Sequence, residues 1–196
     1  MRPVRLILAS ALLFVLLAGT ASASNPDPKQ MVLTLQDMPT GFSVSSGTGY
    51  KDIAAVAKTS STATLAQYKA WGYQTGYEAD FTGSPSLSDL MSGAADITSS
   101  VSVYKSSSGA EKSLTSSLGQ CHKAPYKELS MGGAKLGDEG HLCSATKKSG
   151  EVTAQVYAVL WRHGRFKGSV LTAGVVGATS PTQAVTLAEV QDKRMG

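Results

Sequence analysis

The sequence predicts an α+β fold: an antiparallel β-sheet with helices packed on one face, an α/β sandwich closed by a C-terminal helix. Three observations carry it. Long segments alternate apolar and polar residues with a period of two. One of them, "EVTAQVYAVLWRHGRFKGSVLTAGVV" (151–176), turns back on itself at a glycine. Segments with helix-start grammar lie between and after these strands.

In chain order, "DPKQ" places Asp27 as a cap, Pro28 at the first helical position and Gln30 three residues after the cap, so a short helix is expected before Pro39. Asp52 to Trp71 reads as helical, interrupted by "TSSTAT". "YQTGYEADF" places Tyr73, Thr75, Tyr77, Ala79 and Phe81 on one strand face, and "DITSSVSVYKS" does the same with Ile97, Val101 and Val103. "SGAE", with Ser108 and Glu111, opens a helix whose Ala110, Leu114 and Leu118 share a face and which stops near Gly119. In the hairpin, Val152, Ala154, Val156, Ala158 and Leu160 line one face, His163-Gly164 forms the turn, and Phe166, Val170 and Val176 continue. "SPTQ" caps the last helix at Ser180. Ala184, Leu187 and Ala188 point inward, and Lys193 and Arg194 suit the negative end of the helix dipole.

Residues 1–23 read as an export signal. Arg2 and Arg5 precede the apolar run "LILASALLFVLLAG", and small residues at 21–23 imply cleavage after Ala23. "LAGT" matches a lipoprotein signal except that Thr20 replaces the cysteine a lipid would need. A released protein is therefore expected, without a stable membrane anchor after cleavage, folded as one domain over 24–196. Without Arg2 and Arg5, sixteen basic residues face fourteen acidic ones, scattered along the chain. Nucleic-acid binding needs a concentrated basic face, so it is not expected.

The segment "CHKAPYKELSMGGAKLGDEGHLC" (121–143) holds both cysteines and two of the three histidines. As a zinc site its spacing is poor, because Cys121 and His122 are adjacent and structural zinc ligands pair two to four residues apart. Export favours oxidation instead, so Cys121 and Cys143 are expected to form a disulfide joining the helix that ends near Gly119 to the strand at His141–Thr146. No metal and no cofactor are expected. Asp138 and Glu139 in "LGDEG" read as a polar turn, and no G-x-S-x-G elbow or phosphate-binding loop occurs. Arg162, His163 and Arg165 around the hairpin tip are candidate contacts for an anionic ligand.

Six segments in order, "DMPTGF", "WGYQTGYEADF", "ITSSVSVYKS", "KLGDEG", "VLWRHGRF" and "AVTLAEVQDKR", together resemble a family of exported bacterial proteins and lipoproteins. The family has no assigned activity. The resemblance implies an extracytoplasmic module of αβ-sandwich type, like the PsbP-like group. It also implies a lipid anchor, which Thr20 breaks, and an arginine where Tyr73 stands. The function expected is a non-catalytic exported module binding an unknown ligand or exported protein partner. The alternatives are a secreted hydrolase and a structural or cell-surface interaction protein.

Overall fold

A computed structural model describes residues 26–83, 95–149 and 152–196. The expected export signal and its processing site lie outside the described residues. Among these residues eight strands form one antiparallel sheet: β1 (Ser43–Val44), β2 (Gly49–Lys51), β3 (Tyr73–Thr82), β4 (Asp96–Tyr104), β5 (Tyr126–Leu129), β6 (Glu139–Ser149), β7 (Val152–His163) and β8 (Phe166–Val175). The order is β1–β3–β4–β8–β7–β6–β5, and β2 pairs with β3 beside β1. The helices are α1 (Ile53–Thr59), α2 (Leu65–Ala70), α3 (Ser107–Cys121) and α4 (Pro181–Met195).

The α+β class, the antiparallel sheet and the C-terminal helix are as the sequence predicts. The placement of the helices differs: they cover both faces, not one. Adjacent residues of a strand point to opposite faces, and here both sides are buried. Val159 and Trp161 of β7 join the core beneath α4, while Leu160 packs beneath α3.

On the α4 face, Leu142, Val159, Trp161, Val170, Ile97, Val101, Ala79 and Phe81 meet Ala184, Leu187, Ala188 and Met195, with Met31 to Leu33 wedged alongside. A polar seam crosses this core. Ser99 Oγ donates to Gln191 Oε1 (2.6 Å) and accepts from the Leu33 amide (2.9 Å), and Gln191 Nε2 donates to the Ser100 carbonyl (2.9 Å). Gln191 is fully buried, so these bonds offset the cost of removing its amide from water. Arg194 ties the N-terminal segment to the same helix through the Val32 carbonyl (2.7 Å) and Asp37 (2.7 Å).

On the opposite face, Leu114, Leu118 and Cys121 of α3 pack on Leu160 and Cys143. A second cluster joins Tyr68, Tyr73, Tyr104, Ala63 and Ala110, with Ile53, Val56 and Ala57 against it. Tyr104 Oη donates to Ser113 Oγ (2.6 Å), satisfying the buried phenol.

Local grammar explains most element boundaries. Ser180 Oγ accepts from the Gln183 amide (3.1 Å), as "SPTQ" predicts. Thr64 and Gln67 form a reciprocal capping box on α2. Three details depart from the sequence reading. Asp27 caps only a 3-10 turn (Pro28–Met31), followed by a second at Leu35–Asp37, because neither segment is long enough to propagate an α-helix. The cap of α3 is Ser106, whose Oγ accepts from the Gly109 amide (3.2 Å), not Ser108. The β7–β8 turn is Gly164-Arg165, because His163 pairs with Phe166; Gly164 takes φ +55° at the first turn position.

Candidate functional site

The serine- and threonine-rich interruption between α1 and α2 stands off the sheet and faces α3 across a cleft of about 240 Å³. Its floor is made by β3, β4 and β8, which present Gly76, Glu78, Ser100, Ser102 and Lys167. The register explains why these residues meet. Arg162, Lys167, Ser102 and Gly76 form one cross-strand row, and Leu160, Ser169, Ser100 and Glu78 form the next. Paired residues in an antiparallel sheet share a face. The rim adds Thr59 to Thr62, and α3 adds Ser117.

The aromatic cluster closes one end. Between Tyr73 and Thr75 the register of β3 shifts against β4. This bulge turns Tyr73 onto the cleft side with Tyr104, while Ala79 and Phe81 stay in the α4 core. Tyr73 packs edge-on against Tyr68 (5.7 Å) and Tyr104 (5.6 Å), and its hydroxyl donates to the Lys51 carbonyl (2.7 Å). Burial drives its phenol well above the ordinary range, so it stays a neutral donor. The ring lies close over Gly76, where an added Cβ would sit 2.6 Å from the Tyr73 hydroxyl. A larger residue there would displace the wall of the cleft.

Lys51 and Glu78 pair at 3.0 Å, and the Lys51 ammonium also donates to the Gly47 carbonyl (2.9 Å). Lys167 has no such neutralising partner among the described residues. Its Nζ donates to Ser117 Oγ at 2.5 Å, and the half-buried side chain lines the cleft. Burial pulls its pKa down to about 8. The larger hollow of about 520 Å³, beside Trp71 on the outer side of α3, is shallower. It does not bring a half-buried charge together with hydroxyls in this way.

The hairpin-tip residues do not converge. Arg162 pairs with Asp138 (2.6 Å), whose carboxylate also accepts from the Gly164 amide (2.8 Å). His163 turns to the other face and meets Asp192 of α4 (3.3 Å). Arg165 reaches Gln74 (3.3 Å) and lies over the Phe166 ring. Arg162 and His163 brace the turn against its neighbours.

Cys121 and Cys143 are joined, with Cα atoms 5.6 Å apart, and the bond ties the end of α3 to β6. The flanking histidines assemble around Glu128 of β5, not around the sulfurs. His141 bonds Glu128 (2.6 Å) and Glu139 (3.0 Å), and His122 bonds the other Glu128 oxygen (3.1 Å). Burial alone would lower the pKa of His141, but the two carboxylates outweigh it and raise it. The same histidines lower that of Glu128. Among the described residues no cluster of three or more such side chains is arranged to hold a metal ion.

The sequence reading overlooked Lys167, Ser117 and the Ser/Thr rim. Lys167 reads as an ordinary polar position on a returning strand, and "TSSTAT" as a helix break. The available signal was Thr98, Ser100 and Ser102 at alternate positions of β4, small side chains that leave the floor of a sheet face uncovered.

No family model and no curated protein matches this chain. Among solved structures, the extracellular domain of PknH from Mycobacterium tuberculosis is similar, with a TM-score of 0.50 and 12% identity, covering 85% of this chain and 94% of that one. At that identity the likeness is one of fold.

Proposed function

We propose that the chain is an extracytoplasmic, non-catalytic module that binds a small ligand in the cleft between α3 and the α1–α2 segment. The observation that carries this reading is the half-buried Lys167 ammonium, which has no carboxylate partner among the described residues and lines a cavity with several hydroxyls. Sites for small molecules are concave, with a few convergent polar groups. The export-like residues 1–23, the Cys121–Cys143 bond and a fold shared with a domain described as extracellular support the address. Among the described residues no helix is long and apolar enough to cross a membrane.

One contact favours a second reading, a hydrolase using Ser117 as nucleophile and Lys167 as base, since serine–lysine pairs perform acyl transfer in other folds. Two features weigh against it. With a pKa of about 8, Lys167 is mostly protonated at neutral pH and donates to Ser117. Ser117 also lies inside α3, where the neighbouring amides are engaged in the helix and are not free to stabilise an oxyanion.

The test is to incubate the exported chain with the small-molecule fraction of its culture medium, wash it, and identify retained compounds by mass spectrometry. The wild type is expected to retain a compound unchanged, and Ser117→Phe, which fills the cleft from the α3 wall, to lose it. Conversion of the compound, abolished by Ser117→Ala, would establish the hydrolase instead. Equal retention by Ser117→Phe would place binding elsewhere.

A further inference from the structure

Resting on the binding reading above, we infer that the cleft takes a small oxyanion, a carboxylate or phosphate group on a compact molecule, salt-bridged to Lys167 and hydrogen-bonded by Ser117 and Ser100. The donor inventory carries this. An ammonium has three N–H donors, and the described residues engage one, through Ser117 Oγ. Ser117 accepts that bond, which leaves its own hydroxyl proton for a ligand. Ser100 and Ser169 share a single bond at 2.7 Å, so one of their two protons is also left over. Lys167, Ser117 and Ser100 line the same cavity, whereas its one lining carboxylate, Glu78, is engaged by Lys51.

Charge points the same way. Lys51 and Glu78 cancel, and Arg162, across the strand pair from Lys167, is neutralised by Asp138. Lys167 remains as the uncompensated charge. Buried ions are ordinarily paired, since an unpaired one bears the full cost of desolvation. A bound anion completes the pair and engages the spare hydroxyl protons. Size restricts the class further. About 240 Å³ falls below the roughly 300–1,000 Å³ of sites for drug-sized molecules, so the ligand has few heavy atoms and no acyl chain.

The experiment titrates the exported chain at neutral pH with inorganic phosphate and separately with succinate, following heat and melting temperature against chloride at matched ionic strength. At least one of the two is expected to bind saturably in the millimolar range or tighter. Lys167→Met is expected to weaken it by roughly thirtyfold or more, as truncating one partner of an enclosed charge pair does. Lys147→Met, which removes an equal charge from exposed β6, is expected to bind as wild type. Ser102→Leu, which narrows the floor without touching the ammonium, is expected to abolish binding and covers the case in which Lys167→Met does not fold. Binding that survives Lys167→Met or Ser102→Leu within twofold overturns the inference, as do flat titrations with both anions. If the titrations are flat while the mass-spectrometric assay retains a neutral compound sensitive to Ser117→Phe, only the anion assignment fails. If neither assay detects a ligand, the binding reading fails with it.

Discussion

At the scale of single residues, Lys167 has the sharpest consequences. Its ammonium is half-buried and lacks a carboxylate among the described residues, so the folded state binds its proton less tightly than the unfolded chain does. The sign follows from linkage. Between about pH 8 and the ordinary lysine value of 10.5, the unfolded state carries a proton that the folded state has released, so stability rises with pH across that window. Below about pH 8 both states are protonated and the desolvation penalty is fully present. Lys167→Met removes the penalty. It is expected to raise the stability of the ligand-free chain at neutral pH by about 1–3 kcal/mol and to flatten the rise above pH 8, measured by urea unfolding across that range. Residues kept at a cost to stability are characteristic of binding sites. A Lys167→Met variant less stable than wild type at neutral pH would show that the lysine supports the fold. The sequence does not reveal this residue, because Lys167 alternates with Phe166 and Gly168 like any solvent-facing strand position. Its burial comes from α3 and the α1–α2 segment, which arrive from elsewhere in the chain.

At the scale of elements, local rules did best where one short stretch contains both the cause and the effect. Ser180 with Gln183 and the alternation in β4 both read correctly because partner groups are within four residues or repeat every second position. The bulge in β3 did not, because it is set by pairing with β4: Tyr73 opposes Tyr104 while Thr75 opposes Val103. The same limit explains the helix cap at Ser106. Three consecutive serines can each cap a helix, and the packing of α3 over Tyr104 selects one. The disulfide was legible from the export-like N-terminus and the cysteine count, and it acts between elements. It closes a 22-residue separation between α3 and β6, which on the chain-entropy model stabilises the fold by about 3 kcal/mol. The Cys121→Ser, Cys143→Ser double variant is expected to lose about that much, read from the urea midpoint with an unchanged slope. Because α3 forms one wall of the cleft, ligand affinity should fall with it. Two alkylated thiols in the non-reduced protein would show that the bond does not form.

At the scale of the whole molecule, both sheet faces are covered and each does different work. The α4 face is a continuous apolar core crossed by the Ser99–Gln191 seam. The α3 face is divided into two small clusters with a polar floor between them. The signal for cover on both faces was present in β7, where Val156, Ala158 and Leu160 alternate with Tyr157, Val159 and Trp161, apolar on both sides. A one-sided sheet would show polar residues at one of these sets. The cleft itself was not legible. It exists because the α1–α2 segment stands over a row of small side chains, a relation between residues 59–62, 100–102, 117 and 167 that no local pattern encodes. The hairpin tip looked more promising in sequence, with three basic side chains in four residues, but the alternation that makes it a strand end also sends those side chains to different partners.

The most direct measurement of the central claim is an amide NMR map of the chain with and without phosphate or succinate, the anions proposed for the cleft. The account predicts shifts concentrated at residues 59–62, 76–78, 100–102, 117 and 167, with the α4 face unmoved. Shifts centred on the 162–165 turn, or spread over the α4 face, would contradict it.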